Sequence, residues 1–257
     1  MQFELSKDKL IFFASDQHLG APTYAASRQR EQVFLQWLDR IEAQAQALFL
    51  LGDLFDFWFE YKKVVPKGFV RTLGKLAQMK DSGIEIFIFT GNHDLWMTNY
   101  FPTELGIPVF HKPTAVKINE KQFLLGHGDG LGPGDMGYKR MKKIFINPLA
   151  KWLFRWFHPD LGVALAQRLS IRNRLISGDE NVQFQGKENE WLAQYCHRKL
   201  QSQHYDFFVF GHRHLPLELP IASKSLYVNT GDWIHHNTYA EFDGNNLKLK
   251  KWLPAND

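Results

Sequence analysis

The 257-residue chain contains one cysteine and no long apolar run. Because Cys196 has no second cysteine to pair with, an internal disulfide is excluded, which fits a reducing compartment. The opening MQFELSKDKLIFFASD holds only a short apolar run, too short for the core of a secretory signal. No later stretch approaches the roughly 18 apolar residues of a membrane-spanning helix. The sequence therefore predicts a cytoplasmic protein that at most attaches to a membrane face.

Acidic residues are scarce in one segment of the chain. The formal net charge is +4, yet residues 139–174 carry nine Lys or Arg and a single acid, Asp160, a net charge of +8. The rest of the chain therefore sums to −4. A basic patch of this kind predicts an anionic partner, such as nucleic acid, a phospholipid surface or a phosphorylated substrate.

Short apolar, β-rich runs bounded by Gly or Asp recur along the chain, as expected for strands buried on both faces. Helix-like stretches at 27–45 and 67–82 alternate with the early runs and predict an α/β layered core. We expect a single domain over 1–257, and a C-terminal meander over 226–252 with a turn at 243–246. The predicted strands lie at 10–15, 47–51, 84–90, 123–127, 207–212 and 226–231.

Residues 131–186 do not fit the alternation and are predicted as a helical insertion. One interpretation is a helix over 142–157 that packs on the core and leaves a basic side solvated. The other is a lid whose apolar and basic faces meet an amphiphilic ligand or a membrane. The pattern alone leaves both open. The apolar positions at helical spacing are Phe145, Leu149, Trp152, Leu153 and Trp156, and the neighbouring basic positions are Lys151 and Arg155.

Nearly every predicted strand runs into a side chain of the kind that binds metal ions. In an α/β sheet the loops beyond the strand C-termini converge on one crevice, so these side chains are candidates for a single site. Alternation along an extended segment would direct Asp16 and His18 the same way, and likewise His212 and His214. The candidates are Asp16, His18, Asp53, Asn92, His127, His212 and His214.

Seven such ligands exceed what one metal ion usually needs, and two ions bridged by a shared carboxylate use them economically. Imidazole mixed with carboxylate or carbonyl ligands suits manganese, iron or zinc better than magnesium or calcium. Two ions about 3.5–4 Å apart activate water and clamp the entering and leaving oxygens of an in-line displacement. Each motif alone is more often structural, but five in this order indicate hydrolysis of phosphoesters or phosphoanhydrides.

The motifs SDQH, GDLFDFW, GNHD, GHGD and GHRH, in this order, resemble those of the calcineurin-like metallophosphoesterase superfamily over roughly residues 10–235. The resemblance implies a four-layer αββα sandwich with a dimetal site at the strand ends. Asn92 and His93 are expected to contact substrate, and His93 and Asp53 to be catalytic, with His93 stabilising the phosphoryl group or assisting the leaving group. By motif, Asp16, His18 and His214 would hold one ion, Asn92, His127 and His212 the other, and Asp53 would bridge them.

Within that superfamily, LGDLFDFW, HGDGLGPGDMGYKRMK and a late GDW resemble the UDP-2,3-diacylglucosamine hydrolases. That family cleaves the pyrophosphate of a nucleotide-activated, acylated glucosamine to UMP and 2,3-diacylglucosamine 1-phosphate in lipid A synthesis, usually with manganese. The resemblance favours a lid over 131–186 and a peripheral position on the cytoplasmic face of the inner membrane. His93 stands where the well-studied form has arginine. The expected lid contacts to substrate are Asp135, Tyr138, Arg172 and Asn173.

Three other functions stay open at this point. A phosphodiesterase of the same fold could act on another nucleotide, a phospholipid or a nucleic acid, since phosphate contacts need only Lys or Arg. Nucleic acid is not expected, because the basic residues alternate with Trp, Phe and Leu and the sequence shows no second DNA-binding module. A scaffold without catalysis would be expected to lack ligands that are present here. A membrane adaptor formed by 142–157 would leave the metal motifs unexplained.

Overall fold

The computed structural model describes residues 1–133, 136–165, 168, 184, 186 and 188–254, with only the backbone of 136 and 137. Its strands are β1 (Gln2–Phe3), β2 (Leu10–Ala14), β3 (Ala45–Leu51), β4 (Glu85–Phe89), β5 (Val109–Phe110), β6 (Thr114–Ile118), β7 (Lys121–Leu125), β8 (Phe207–Phe210), β9 (Pro216–Ala222), β10 (Ser225–Thr230), β11 (Thr238–Phe242) and β12 (Leu247–Lys251). Its helices are α1 (Tyr24–Glu42), α2 (Val70–Asp81), α3 (Tyr100–Leu105), α4 (Met136–Phe145), α5 (Pro148–Phe154) and α6 (Trp191–Leu200), and 159–165 are also helical.

The strands form two six-stranded sheets. The first has the order β12-β11-β2-β3-β4-β5, with β2 to β5 parallel and β11 antiparallel to β2. The second has the order β1-β6-β7-β8-β10-β9, with β7, β8 and β10 parallel. All six predicted strands are present, and β1, β5, β6 and β9 are additional. Parallel strands in both sheets bring many strand C-termini to one end of the molecule.

The side-chain alternation of the first sheet separates two layers. Phe12 and Ala14 of β2 pack in the cluster that covers α1 and α2, whereas Ile11 and Phe13 pack against the second sheet. In α1, Phe34, Trp37, Leu38 and Ile41 recur at the helical period and are buried against this outer face. The helix begins after Thr23, whose hydroxyl accepts the N–H of Ala26 at 3.2 Å.

The side chains of the second sheet also alternate between two layers, one between the sheets and one against α6. Val209 of β8 belongs to the cluster between the sheets, while its neighbours Phe208 and Phe210 pack with Leu192 and Cys196 of α6. Helix, sheet, sheet and helix therefore lie in four successive layers. The αββα sandwich expected from the resemblance is confirmed.

The C-terminal meander is a wrong prediction in part. Strand β10 pairs with β8 and β9 in the second sheet, whereas β11 pairs with β2 in the first, so the chain crosses between sheets at 231–237. The hairpin of β11 and β12 is confirmed, with a turn in which Asp243 accepts the N–H groups of Asn245 and Asn246. The sequence pattern did not indicate that β11 pairs with β2 of the first sheet.

The single helix predicted over 142–157 is also wrong, because the chain breaks between α4 and α5. Asn147 caps α5 by accepting the N–H of Leu149 at 2.8 Å, and Pro148 occupies the first turn. Proline has no N–H to continue α4 and its fixed φ suits a helix start, so this pair ends one helix and begins the next. Among the described residues, each helix is too short or too polar to cross a membrane.

Helix α5 touches the domain through a small part of its surface. Phe154 packs against Phe59 and Trp96, with ring centroids 4.7 and 4.8 Å apart, and the Trp96 indole N–H donates to the carbonyl of Phe145 at 2.7 Å. Most other apolar side chains of this region face solvent, and Trp152 and Trp156 are 51% and 74% exposed. The helix thus presents an apolar surface that the described part of the domain does not cover.

Candidate metal centre

The seven candidate ligands come together at the carboxyl ends of strands from both sheets. The loops after β2, β3 and β4 carry Asp16, His18, Asp53 and Asn92, and those after β7 and β8 carry His127, His212 and His214. The carboxylates and imidazoles fall into two compact groups, Asp16 with His18 and His214, and Asp53 with His127 and His212. Within each group one ligand atom per residue lies within 4.8 Å of the others.

The first group is arranged around Asp16. Its Oδ1 lies 3.2 Å from His214 Nε2 and 3.6 Å from His18 Nε2. The two Nε2 atoms of His18 and His214 are 3.2 Å apart. Three ligand atoms of different residues therefore converge on one small volume.

The second group is arranged around His127. Its Nε2 lies 3.2 Å from Asn92 Oδ1, 3.2 Å from His212 Nδ1 and 3.3 Å from Asp53 Oδ2. The same Asp53 oxygen is 3.6 Å from His18 Nε2 in the first group. One carboxylate oxygen thus lies between the two groups, where a bridging ligand would be.

The geometric reason given for this convergence from sequence is wrong. Asp16, His18, Asp53, His212 and His214 are not extended but have φ of 58, 45, 54, 69 and 49°. Left-handed backbone costs a non-glycine residue on the order of 1–3 kcal/mol and persists where the surroundings fix it. Here the Asp16 carboxylate accepts the N–H of His212 at 2.9 Å, and the carbonyl of Asp53 accepts the N–H of His18 at 2.9 Å.

The glycines that precede two of the candidate ligands leave no room for a side chain, because their backbone lies directly against a carboxylate. A Cβ on Gly91, which precedes Asn92, would lie 2.1 Å from Asp53 Oδ1. A Cβ on Gly211, before His212, would lie 2.4 Å from Asp16 Oδ2. The Gly-Asn and Gly-His pairs of the motifs therefore let a neighbouring backbone pass directly against the carboxylates.

Outer partners orient the imidazoles. His127 Nδ1 lies 2.9 Å from the carbonyl of Leu51, and His214 Nδ1 lies 3.2 Å from Oδ2 of the buried Asp232. Once these imidazoles are neutral, a proton held on Nδ1 by these acceptors leaves Nε2 with a lone pair directed into the site. Sequence reasoning did not assign Asp232 a role, although it lies in the late GDW motif.

Asp56 is a second buried carboxylate whose role sequence reasoning missed. Its Oδ1 is 3.4 Å from His18 Nδ1 and 3.4 Å from His93 Nδ1, and these three residues form a further cluster of possible ligand atoms. His93 Nδ1 also lies 3.1 Å from the Asp56 carbonyl, and the two imidazole rings meet edge-on at 4.8 Å. The spacing GDLFD placed this aspartate three residues after Asp53 and was a visible signal. Asp56 therefore fixes His93 beside the candidate metal ligands.

The carboxylates and imidazoles of the centre shift one another's pKa values. Burial raises the pKa of Asp53, but His127, His93 and His18 outweigh it and hold that pKa well below its usual range. Burial lowers the pKa of His18 to about 3 and of His212 to about 4. Burial likewise disfavours charge on His127, but the carboxylates of Asp53 and Asp16 raise its pKa to about 10. The two ionised carboxylates therefore favour positive charge between the groups.

The residues present fit a pair of divalent cations. Asp16 Oδ1 is buried and accepts no hydrogen bond from the part of the chain that the structure describes. Ligand atoms about 2.0–2.2 Å from a shared ion lie about 3–3.5 Å from one another, which is close to the separations found in both groups. Lone pairs of imidazole, carboxylate and amide oxygen that converge in this way are a donor set for manganese, iron or zinc.

A profile of the Calcineurin-like phosphoesterase family matches residues 10–216, which is more than half of the chain. The chain belongs to this family. As a calcineurin-like phosphoesterase it is a metal-dependent hydrolase, and the two groups described above are its candidate metal-binding groups.

Relatives of this phosphoesterase match it over nearly its whole length. A UDP-2,3-diacylglucosamine hydrolase of Porphyromonas gingivalis is 39% identical over 254 residues, which cover 93% of this chain and 96% of that protein. One of Pseudomonas putida is 31% identical over 245 residues, covering 93% and 98%. One of Pseudomonas aeruginosa is 28% identical over 239 residues, covering 91% and 95%.

The predicted lid contacts of the phosphoesterase are only partly within the described residues. The hydroxyl of Tyr138 donates to the carboxylate of Asp129, which also binds the Lys142 ammonium group. Asp129 follows His127 by two residues, so these contacts tie α4 to a loop that carries a candidate metal ligand. The predicted contacts Asp135, Arg172 and Asn173 lie outside the described residues.

Proposed function

We propose that this calcineurin-like phosphoesterase hydrolyses the pyrophosphate of UDP-2,3-diacylglucosamine and releases UMP and 2,3-diacylglucosamine 1-phosphate, a step of lipid A biosynthesis. The observation that carries the proposal is an exposed aromatic helix that packs on Trp96, four residues beyond Asn92, in a chain whose other described feature is a centre of seven potential metal ligands. The relatives described above, which are named for this substrate, support the proposal. The relative from Porphyromonas gingivalis is 39% identical over 93% of this chain, and that from Pseudomonas putida is 31% identical over 93%.

The insertion has the chemistry that such a substrate needs. Acyl chains require apolar surface, and phosphates require cations, so one element should display both. Leu149, Trp152 and Trp156 are more than half exposed on and after α5, and Lys151 and Arg155 stand among them. The anchor of α5 is Trp96, only four residues beyond Asn92. The apolar surface is therefore attached to the segment that also carries Asn92, which favours a lid over residues 131–186.

The metal assignment follows the two groups of ligands. Asp16, His18 and His214 would hold one ion, Asn92, His127 and His212 the other, and Asp53 both. Mixed imidazole and oxygen ligands favour manganese, with zinc or iron as alternatives. When bound, the ions activate the attacking water and neutralise charge on the phosphate.

The protein's own groups position the reaction. The oxygen of water forms a bond to the α-phosphorus of the nucleotide and loses its proton to solvent, and the bond from this phosphorus to the bridging oxygen breaks, with its electron pair leaving on the 1-phosphate of the diacylglucosamine. Asp56 accepts from the Nδ1 edge of His93, whose side chain is 16% exposed, so that the ring, when both nitrogens carry a proton, can donate from Nε2 to a phosphoryl or leaving oxygen. Asp53 fixes the backbone of His93 through a 2.9 Å hydrogen bond. His93 and Asn92 are thus the proposed substrate contacts nearest the metals.

The same surface suggests where the enzyme works. Exposed Trp and Leu side chains with Lys and Arg nearby are typical of proteins that lie at an anionic membrane surface. We therefore place the enzyme at the cytoplasmic face of the inner membrane as a peripheral protein. Tyr138, Asp135, Arg172 and Asn173 stay predicted contacts to the sugar and phosphate part of the substrate.

The test is direct hydrolysis of the proposed substrate. Protein loaded with Mn²⁺ is incubated with UDP-2,3-diacylglucosamine in detergent micelles, and UMP is followed by phosphorus NMR. Catalytic formation of UMP that is lost in Asp53→Ala supports the proposal. Hydrolysis of a small chromogenic diester without any UMP would reject the substrate and retain a dimetal phosphodiesterase that acts on another compound.

A further inference from the structure

A buried ion pair stands directly behind the metal-ligand turn of the GHRH motif. Arg213, between His212 and His214, is 4% exposed, and its partner Glu190 is 1% exposed. The guanidinium donates from Nε to Oε1 and Oε2 at 3.2 and 3.3 Å, and from Nη2 to Oε2 at 3.2 Å. Both carboxylate oxygens are therefore engaged by one guanidinium, an arrangement that fixes direction as well as distance.

Helix formation does not explain the glutamate. Glu190 is the N-cap residue of α6, a position where Ser, Thr, Asp and Asn are preferred because their side chains accept helix N–H groups. Its side chain makes no such cap hydrogen bond and turns to Arg213 instead. A buried ion pair adds little net stability, because removing two charges from water offsets their attraction. The pair is better explained by what it positions.

The turn on which Arg213 lies needs to be held. His212 and His214, on either side of Arg213, have φ of 69 and 49°, in the left-handed region. Two such residues in three are kept only if contacts around them fix the backbone. Some contacts come from the site itself, since Asp16 accepts the N–H of His212 at 2.9 Å. The Arg213 side chain supplies a further anchor through its contacts with Glu190.

The next residue of α6 contacts the same turn. The Trp191 ring meets the His212 ring edge-on at 5.6 Å. Below the turn, the amide of the buried Asn229 donates to the Gly211 carbonyl at 2.6 Å. Asn229, Trp191 and Glu190 thus each contact the turn over residues 211–213. Of these three residues, Glu190 does so through an ion pair.

We propose that Glu190 is a positioning residue for the metal centre, which acts through Arg213 to set the turn that presents His214 to one ion and His212 to the other. The proposal rests on the dimetal site of the proposed function and does not depend on the substrate. Removal of its charge should weaken metal binding rather than substrate binding.

The experiment measures metal affinity in Glu190→Gln, which keeps the size of the side chain and removes its charge. Metal-free protein is titrated with Mn²⁺ by calorimetry, and the exchange-coupled Mn²⁺ pair is followed by electron paramagnetic resonance. We expect about 10- to 100-fold weaker binding, the range found when outer partners of metal ligands are replaced. At saturating Mn²⁺ the KM for a small chromogenic diester should be unchanged.

The matched control is Glu42→Gln, which removes a carboxylate that binds Lys75 at 2.7 Å between α1 and α2 in the outer layer. It should leave Mn²⁺ affinity within twofold of wild type. If Glu190→Gln yields no folded protein, the double variant Glu190→Leu with Arg213→Met replaces the pair by apolar groups, an exchange that folded proteins tolerate. It should fold and bind Mn²⁺ as weakly as expected for the single variant.

Three results would overturn the inference. Mn²⁺ affinity within twofold of wild type, in either folded variant, would show that the pair only supports the fold. An equal loss of affinity in Glu42→Gln would show a general effect of lowered stability. Wild-type protein that binds fewer than two ions would overturn the dimetal site itself, and the wild-type titration separates this outcome from the other two.

Discussion

The Oδ1 atom of Asp53 accepts a hydrogen bond of 2.9 Å from the backbone N–H of His93. The other oxygen, Oδ2, lies between the two ligand groups, 3.6 Å from His18 Nε2 and 3.3 Å from His127 Nε2. One carboxylate therefore joins both proposed metal positions and also holds the residue proposed to contact the phosphoryl group. Changes at Asp53 and at His93 should consequently have different effects on metal content.

Replacement of Asp53 by asparagine should remove both ions and reduce hydrolysis to background. Asparagine keeps the size of the side chain but removes the negative charge that the two positions share. The measurement is Mn²⁺ per chain after dialysis, together with hydrolysis of a small chromogenic diester. Asp243→Asn, in the exposed turn between β11 and β12, is the control for the same change of charge. Full occupancy of one position in Asp53→Asn would contradict a bridging role.

Replacement of His93 by alanine should lower turnover and leave the metal content near that of wild type. Its ring is held by Asp56 beside the two groups, and the N–H that binds Asp53 belongs to the backbone and survives the substitution. We expect kcat to fall roughly 10²-fold or more, the usual contribution of a positioned proton donor. Mn²⁺ analysis and steady-state kinetics on one preparation test this. Loss of both ions in His93→Ala would refute the role proposed for this residue.

The ligands were predictable from sequence because each follows an apolar run whose pattern marks the end of a strand. The left-handed backbone of five of them was not predictable, since φ at Asp16 or His212 is fixed by contacts across the site. Asp56 had a visible position in GDLFD, but its pairing with His93 spans 37 residues of sequence and depends on tertiary packing. A carboxylate that serves a distant imidazole has no periodic signal of its own.

One of the two errors in the predicted fold, the meander over 226–252, also arises because tertiary contacts decide the outcome. The apolar run at 226–231 and the turn at 243–246 gave β10 and the β11–β12 hairpin correctly, but which sheet each joins depends on the strands that are already paired. The break between α4 and α5 was different, because Asn147 and Pro148 form a recognisable cap and helix start. There the apolar spacing was given too much weight against a local signal.

Replacement of Trp152 and Trp156 by alanine should impair hydrolysis of the acylated substrate and spare that of a small diester. These side chains are 51% and 74% exposed, with rings 5.8 Å apart, and the proposed function would cover them with an acyl chain of the substrate. A large apolar side chain contributes about 1.5–3 kcal/mol when buried, so kcat/KM should fall roughly 10- to 100-fold for each.

Tyr24→Ala, which removes an aromatic side chain 74% exposed on α1, is the matched control for the tryptophan variants and should affect neither substrate. Both substrates are assayed with each protein at saturating Mn²⁺. An equal loss on the two substrates would assign the tryptophans to the support of the fold and would remove the reason for a lid over residues 131–186.

Metal binding at pH 7 should release about two protons per chain. Burial disfavours charge on His127 and His214, but Asp53 and Asp16 outweigh it and raise both pKa values to about 10 in the absence of metal. Both imidazoles are then protonated at pH 7, whereas a metal ligand must be neutral. Since the metal-free form binds the extra protons, acid favours that form, and affinity should rise about tenfold per pH unit for each ion between pH 6 and 8.

Calorimetric titration with Mn²⁺ in buffers of different ionisation enthalpy measures the protons released, and His204→Gln, which replaces an exposed histidine, should not alter the number. Heats that are independent of the buffer would show that both imidazoles are neutral before the metal binds.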